Sequence, residues 1–334
     1  MCSINAMAQS GVILVYHHVS SETPASTSVT VEQFRQHLNL IKQHYTVWPL
    51  DKMVKALKQN NLPANTLAIT FDDGYIDILQ NAHPMLQEYQ FPYTVFVNPD
   101  QIGVRANQLT WQQIKQMSQQ NVLFANHTNE HVHLLQKQQD ETDEQWFSRI
   151  TRNIQRAESS LQQQLGYSLK YVAYPYGEYN QQIQQWMTDN GYVGFGQQSG
   201  AVAAYSDFSA LPRFPSAGIY ANLKTLQVKM ASLAMPVTSI NLADTEFKAG
   251  EKYPLIKVQV DLSDMRNSGL SCFQDSEALD VSWNKQQFTI QPKGNIPAGR
   301  SRINCTVPSN SLSGRYYWYS IPFFAADNNG NWLD

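Results

Sequence analysis

Three of the eight histidines of the chain lie close together in the segment FANHTNEHVHLL, residues 124–135. His127 and His131 are spaced i, i+4 and are expected at the start of a helix, where both imidazoles would share one face and hold one cation. The alternative is that they are ordinary surface or helix-capping residues. His133 must point elsewhere on such a helix, so it is interpreted as a supporting or surface residue.

Two adjacent carboxylates end the segment LAITFDD, residues 67–73. Asp72 and Asp73 need not do the same job, because successive strand residues point to opposite sides, and Gly74 then lets the chain turn sharply. Alone, Asp-Asp-Gly is typical of a solvated loop. Two neutral imidazoles and one carboxylate, however, form a three-ligand set that keeps one position for water, as catalytic zinc sites do.

A scaffold that brings these segments together is predicted by the patterning of residues 11–235, where short apolar segments alternate with longer amphipathic ones. That alternation is typical of a βα-repeating domain built as a parallel barrel, whose strand ends carry the site. The predicted strands are VILVY, LAITF, YTVFV, NVLFA, YVAYP and YVGFG, and the predicted helices cover residues 31–45, 75–89 and 141–165.

Residues 237–334 have a different texture, because the helical periodicity vanishes near Pro236. Segments such as PLIKVQVDL, QFTIQP, SRINCTV and RYYWYSIPFFA alternate with turn residues. This pattern predicts a C-terminal β-sandwich of immunoglobulin-like type. Cys272 and Cys305 lie within it, either as a structural disulfide, which we favour, or as two free buried thiols.

Composition excludes some partners. The formal net charge is -3 with no basic excess, which argues against nucleic acid and favours neutral substrates. No run of eighteen apolar residues is present, so we expect no transmembrane segment. Residues 1–10 resemble the end of a signal peptide and are interpreted as a leader remnant, which together with the cysteine pair predicts a periplasmic or secreted protein.

The motifs TFDDGY (70–75), HTNEHVHL (127–134) and AYPYG (173–177) follow one another in order. Together they resemble the first three motifs of the polysaccharide deacetylases, the NodB-homology family of carbohydrate esterases. The resemblance covers most of residues 11–220. It implies a distorted (β/α)7 barrel holding a divalent metal, most often Zn²⁺, that hydrolyses N-acetyl or sometimes O-acetyl groups on glycans.

The resemblance also implies roles for individual residues. Asp72 matches the catalytic base, and Asp73, His127 and His131 match the metal ligands. Thr128 stands where the family has a hydroxyl that braces the site, expected here as a helix N-cap.

The third motif departs from the family pattern. Tyr176 matches the residue whose backbone N–H faces the developing oxyanion, but Ala173 stands where an arginine normally orients the base. Arg213, in LPRFP, is the best substitute; a packing arginine that extends from the barrel rim to solvent is the alternative. The missing arginine also keeps open a non-catalytic carbohydrate-binding protein on the same barrel.

A general acid is needed to protonate a leaving amine, and no histidine follows His133. The segment VILVYHHVS offers His17 and His18 where the first predicted strand ends. This resembles the circularly permuted branch of the family, which includes poly-N-acetylglucosamine deacetylases, and by that match His17, directly after Tyr16, is the acid and His18 supports the site. A histidine pair that only caps the strand is the alternative.

The sequence thus predicts an enzyme, a metal-dependent hydrolase that removes N-acetyl groups from a poly-N-acetylglucosamine or chitin-like polysaccharide. Peptidoglycan stays open as a substrate, and an O-acetyl esterase as an activity. Aromatic residues near the predicted loops that could stack on sugars are Tyr75, Trp111, Tyr174 and Tyr179. The C-terminal region is expected to pack against the barrel rather than to bind glycan.

Overall fold

The computed structural model describes residues 10–333, so the predicted leader remnant lies outside the described residues except for Ser10. The first part of the chain forms ten strands. They are β1 Val12–Tyr16, β2 His18–Val19, β3 Ser28–Val29, β4 Thr46–Val47, β5 Thr66–Phe71, β6 Tyr93–Val97, β7 Val122–Asn126, β8 Tyr171–Ala173, β9 Val193–Phe195 and β10 Phe214–Pro215.

Seven of these strands form one curled parallel sheet in the order β10-β1-β5-β6-β7-β8-β9, with β4 pairing beside β5. A single parallel bridge between Phe195 and Leu211 brings the two edges of this sheet near each other. Strands β1, β5 and β6 are buried along their whole length, as expected for parallel strands covered on both faces. The first part of the chain is therefore an α/β barrel-like domain.

Within residues 10–333, seven α-helices accompany the strands: α1 Val31–His44, α2 Leu50–Lys58, α3 His83–Tyr89, α4 Trp111–Ser118, α5 Asp143–Leu165, α6 Gln181–Asp189 and α7 Leu223–Met230. Helices α1, α4 and α5 each begin with a capping box in which a threonine and the glutamine three residues later satisfy the first N–H groups. The helix predicted over 75–89 is instead a π-helix at Ile78–Ala82 that leads into α3.

The C-terminal part forms strands β11 Leu233–Ala234, β12 Val237–Ile240, β13 Glu246–Lys248, β14 Ile256–Val260, β15 Ser271–Gln274, β16 Glu277–Leu279, β17 Val281–Asn284, β18 Gln287–Ile290, β19 Gly299–Pro308 and β20 Tyr316–Ala326. One sheet has the order β11-β20-β19-β15-β16 with β13 beside β20, and the other has the order β12-β14-β18-β17. Both sheets contribute to one hydrophobic core. Cys272 and Cys305, which pair across β15 and β19, form a disulfide.

Strand β20 joins the C-terminal sheets to the barrel-like domain. Trp318 packs edge-on against Phe214 of β10, and Phe324 packs edge-on against Tyr179. The Ser320 hydroxyl donates to the carbonyl of Ser199. These contacts place one end of the C-terminal sheets at the mouth of the barrel. Among the described residues, none of the helices combines the length and apolar character needed to cross a bilayer.

Candidate active site

A cleft of about 980 Å³ opens where the parallel strands end. His17 follows β1, Asp73 follows β5, His131 lies in the segment after β7, and Tyr176 follows β8; all four line this cleft. The carboxyl ends of parallel strands meet on one side of a barrel, which is why residues more than 100 positions apart come together here.

Asp73, His127 and His131 bring one ligand atom each to within 4.8 Å of one another. Asp73 Oδ1 lies 3.2 Å from His127 Nε2 and 3.2 Å from His131 Nε2. This buried oxygen has no hydrogen-bond partner among the described residues. Because an orphaned buried carboxylate oxygen is costly, a cation is the group that would satisfy all three atoms, and the residues fit a divalent metal.

The surroundings of His127 fix which of its nitrogens can bind a metal. The side chain is buried, and Nδ1 lies 2.8 Å from the carbonyl oxygen of Ala173. A carbonyl can only accept, so Nδ1 carries the hydrogen and Nε2 presents its lone pair toward Asp73. Metal-binding histidines are commonly oriented in this way. Ala173, which replaces the family's arginine, thus still supports the site through its backbone.

The segment that carries both histidines is not a helix, so the predicted helix is wrong and Thr128 is not a helix N-cap. Residues 127–142 are non-helical, and α5 begins only at Asp143. Thr128 nevertheless braces the loop, because its hydroxyl accepts from the His131 backbone N–H at 3.2 Å. Both residues have positive φ angles, 65° and 55°, and this backbone brings the two imidazoles to one point without helical spacing.

Asp72 is fully buried and paired with Arg213. The guanidinium donates from Nη1 to Oδ1 and from Nη2 to Oδ2, both at 2.7 Å, while Nε donates to the carbonyl of Gly196. Burial alone would raise the pKa of Asp72, but the charge and hydrogen bonds of Arg213 oppose it and hold the pKa below its usual value. The alternative of an arginine extending to solvent is wrong, because Arg213 is itself fully buried.

The two histidines after β1 have different surroundings. His17 lines the cleft, and burial lowers its pKa against the opposing influence of the Asp73 and Asp72 carboxylates. His18 is turned to the side, where its Nδ1 lies 2.6 Å from Asp77 Oδ2 and its ring stacks on Tyr75 at 3.8 Å. His17 is therefore in position to meet a substrate, and His18 supports the Tyr75 wall of the cleft.

Residues 59–195 match the family described as polysaccharide deacetylase. Over 206 residues the chain is 27% identical to the putative polysaccharide deacetylase YxkH of Bacillus subtilis, covering 60% of this chain and 69% of that protein. Over 226 residues it is 27% identical to the poly-beta-1,6-N-acetyl-D-glucosamine N-deacetylase of Staphylococcus epidermidis, covering 61% and 78%. Residues 59–195 therefore form a polysaccharide deacetylase domain.

A solved structure agrees with this assignment. The Streptococcus pyogenes deacetylase PplD, in complex with acetate, is 28% identical and has a TM-score of 0.59 over 67% of this chain and 99% of that chain. The present deacetylase has its Asp72, Asp73, His127 and His131 inside the region matched to the family, whereas His17 and Arg213 lie outside it.

The cleft of this deacetylase also contains residues that the sequence did not indicate. Tyr220, Arg300 and Arg302 line it, the last two from β19. Arg302 Nη2 donates to the Tyr220 hydroxyl at 2.7 Å. Their positions depend on how the C-terminal sheets meet the barrel, and neither a motif nor a spacing signals that contact.

Of the aromatic residues predicted near the cleft, only Tyr75 lines it. Tyr174 and Tyr179 are buried in a hydrophobic cluster instead, and Trp111 packs against the barrel core. These three side chains are therefore not placed to stack on a sugar bound in this cleft.

Proposed function

We propose that this deacetylase removes N-acetyl groups from a polysaccharide that contains N-acetylglucosamine, releasing acetate. The observation that carries the proposal is the meeting of Asp73, His127 and His131 at the cleft, with the buried Asp72–Arg213 ion pair directly before Asp73 in the chain. The Staphylococcus epidermidis relative, named for its action on a β-1,6-linked N-acetylglucosamine polymer, supports this choice of glycan.

Asp73, His127 and His131 would hold a divalent cation, which we propose to be Zn²⁺ because two imidazoles and one carboxylate suit that ion. When bound there, such a cation would supply Lewis acidity, which acidifies water and polarises a carbonyl group. Asp72 then accepts the proton of the attacking water. Arg213 keeps that carboxylate ionised and fixed in orientation, which suits a general base whose position must be set before the reaction.

Two residues act later in the reaction. In this proposal the Tyr176 backbone N–H donates to the oxyanion, a contact worth about 2.7 to 4 kcal/mol in comparable sites. His17 donates a proton to the departing nitrogen as the carbon–nitrogen bond breaks, leaving a free amine and acetate.

The finer architecture is part of the same proposal. The curled parallel sheet corresponds to a distorted (β/α)7 barrel, and the two C-terminal sheets with their common core correspond to a β-sandwich. The Cys272–Cys305 disulfide supports a periplasmic or secreted location, because such bonds persist in oxidising compartments. Fractionation of the source cells tests this, and a protein found only in the reducing cytoplasm would contradict it.

The decisive experiment combines metal analysis of the purified protein with acetate release from a panel of N-acetylated and O-acetylated glycans. We expect one equivalent of a divalent metal and acetate from β-1,6-linked N-acetylglucosamine oligomers. Release from O-acetylated glycans alone would make the protein an O-acetyl esterase. No release from any glycan by the metal-loaded protein would favour the binding protein instead.

The assigned base is tested with Asp72→Asn, which keeps the size of the side chain but removes its charge. We expect kcat to fall by about 10² to 10⁴-fold, the range for loss of general acid–base catalysis. Asp100→Asn, at a position outside the cleft, is the control. Equal acetate release by Asp72→Asn and the wild type would show that the base lies elsewhere.

A further inference from the structure

The backbone of Tyr176 adopts a conformation that must be held in place. Its φ is 58° and that of Gly177 is 74°, two successive left-handed residues directly after Pro175. A tyrosine rarely adopts this conformation, and residues that do so persist only when their surroundings fix them. The contacts around the Tyr176 side chain and carbonyl should therefore reveal what holds this turn.

The first support comes from the barrel itself. The His133 ring stacks on the Tyr176 ring, with centroids 3.9 Å apart and planes 11° from parallel. His133 Nδ1 lies 2.9 Å from the carboxylate of Glu178, which is completely buried. The third histidine of the crowded segment is therefore held by a carboxylate and supports the tyrosine. His131 also touches this ring, edge-on at 4.8 Å.

The second support comes from the C-terminal sheets. Arg300, the second residue of β19, donates from Nη1 to the Tyr176 carbonyl oxygen at 3.3 Å. Its guanidinium carbon also lies 5.4 Å from the centroid of the Tyr176 ring, within cation–π range. One side chain from the other part of the molecule thus contacts both the backbone and the ring of the same residue.

We propose that Arg300 is a positioning residue through which the C-terminal sheets complete the active site: together with the His133–Glu178 pair, it fixes Tyr176 at the cleft wall. The catalytic consequence rests on the proposed function, because it assumes that the Tyr176 N–H serves the oxyanion. The structural consequence does not rest on the proposed function, because the contacts hold the turn whatever reaction the site performs.

The geometry favours positioning over substrate binding. Arg300 directs one N–H, on Nη1, at the Tyr176 carbonyl and its guanidinium plane at the Tyr176 ring. A displaced oxyanion donor lowers the rate of reaction without weakening substrate binding. Loss of Arg300 should therefore lower kcat and leave KM nearly unchanged. Loss of a residue that binds the glycan directly would instead mainly raise KM.

The test compares Arg300→Gln, Arg300→Lys and the control Arg266→Gln in the full-length, zinc-loaded protein. Arg266 is an exposed arginine beside the far end of β19, where its backbone N–H donates to Pro308. Two measurements are made: hydrogen exchange of a peptide covering residues 174–178, and kcat and KM for acetate release from a β-1,6-linked N-acetylglucosamine pentamer.

For Arg300→Gln we expect faster exchange in residues 174–178 and a kcat about tenfold lower, with KM within about twofold of wild type. Arg300→Lys, which keeps a charged donor, should recover part of the loss, and Arg266→Gln should match the wild type. Unchanged exchange in Arg300→Gln would overturn the positioning role, and so would a raised KM with unchanged kcat. If the wild type releases no acetate from any glycan, the proposed function fails, while the exchange comparison still decides whether Arg300 holds the turn.

Discussion

Four non-glycine residues of the candidate active site have left-handed backbones: Asp73, Thr128, His131 and Tyr176, with φ between 55° and 72°. Each costs on the order of 1–3 kcal/mol relative to an ordinary conformation, most clearly for the β-branched threonine. Their concentration around the proposed metal ligands indicates that these strained conformations lower the stability of the fold but orient the side chains of the site. Gly74 has the same backbone, and a Cβ there would lie 2.9 Å from Val97 Cγ1.

The expected difference between His17 and His18 is a prediction at this scale. His17→Ala should lower kcat by about 10² to 10⁴-fold, because the leaving amine loses its proton donor. His18→Ala should have a much smaller effect, since His18 contacts Asp77 and Tyr75 rather than the cleft. Steady-state kinetics of both variants, with zinc content measured in parallel, checks this. Equal losses would undo the assignment of His17.

Residues inside motifs, and a residue that replaces a missing motif residue, can be predicted to share one site, whereas a residue without either signal cannot. The residue types and spacing predict that Asp73, His127 and His131 form one group, and the structure brings them together, although their roles stay predictions. Arg213 was chosen because the usual arginine is replaced by Ala173, and it reaches Asp72 across 141 positions. Arg300 carries no local signal, because its contact depends on the packing of two distant parts of the chain.

At the scale of elements, strands were predicted more accurately than the segments between them. VILVY and YTVFV match β1 and β6 residue for residue, because their apolar runs are buried on both faces. The helix expected at His127 is absent, because the segment is fixed by side chains of α5 rather than by its own periodicity. Asn153 accepts from the backbone N–H of Asn129 at 2.7 Å, a contact that the sequence does not signal.

Asn153 therefore offers a prediction about how α5 supports the proposed metal site. Asn153→Ala removes a buried acceptor from the loop between the two histidines, so we expect zinc affinity to fall by about 10 to 100-fold, as for other supporting residues around metal ligands. Gln163→Ala, at an exposed position of the same helix, is the control. Competition with a zinc chelator measures both. Equal affinities would show that α5 does not hold the loop.

A second prediction at this scale concerns Asp264, whose carboxylate accepts from the Ser309 and Tyr317 hydroxyls and the Ser311 N–H. Burial would raise its pKa, but these hydrogen bonds outweigh it and leave the pKa below its usual value. The stabilisation is thus present above the unfolded pKa, about 3.9, and is lost as pH falls through the lower folded pKa.

Asp264→Asn should accordingly lower the free energy of unfolding at pH 7 by about 1 kcal/mol, discounted for the nearby solvent. The difference in free energy of unfolding between this variant and the wild type should become smaller as the pH falls below about 4, because the wild-type carboxylate becomes protonated there. Urea unfolding at several pH values measures it. A gap that is independent of pH would contradict the role of the charge.

At the scale of the whole molecule, the C-terminal sheets do more than cover the barrel. They were expected to pack against it, and Trp318 and Phe324 do so. The same sheets also contribute Arg300 and Arg302 to the cleft. The composition of the region could predict strands, but it could not predict which strand end would face the catalytic residues, because that depends on the orientation of one part against the other.

The Cys272–Cys305 disulfide stabilises the sheet that contributes Arg300 to the cleft, because it joins β15 to β19, the strand that carries this arginine. Removing it by the double substitution Cys272→Ala and Cys305→Ala should lower the free energy of unfolding by about 2–4 kcal/mol, the usual range for such a bond. Denaturant unfolding with and without a reductant measures this. The reductant should destabilise the wild type and leave the double variant unchanged. A wild type that is insensitive to reductant when unfolded would show that the bond does not form in solution, and the argument for an oxidising compartment would fall with it.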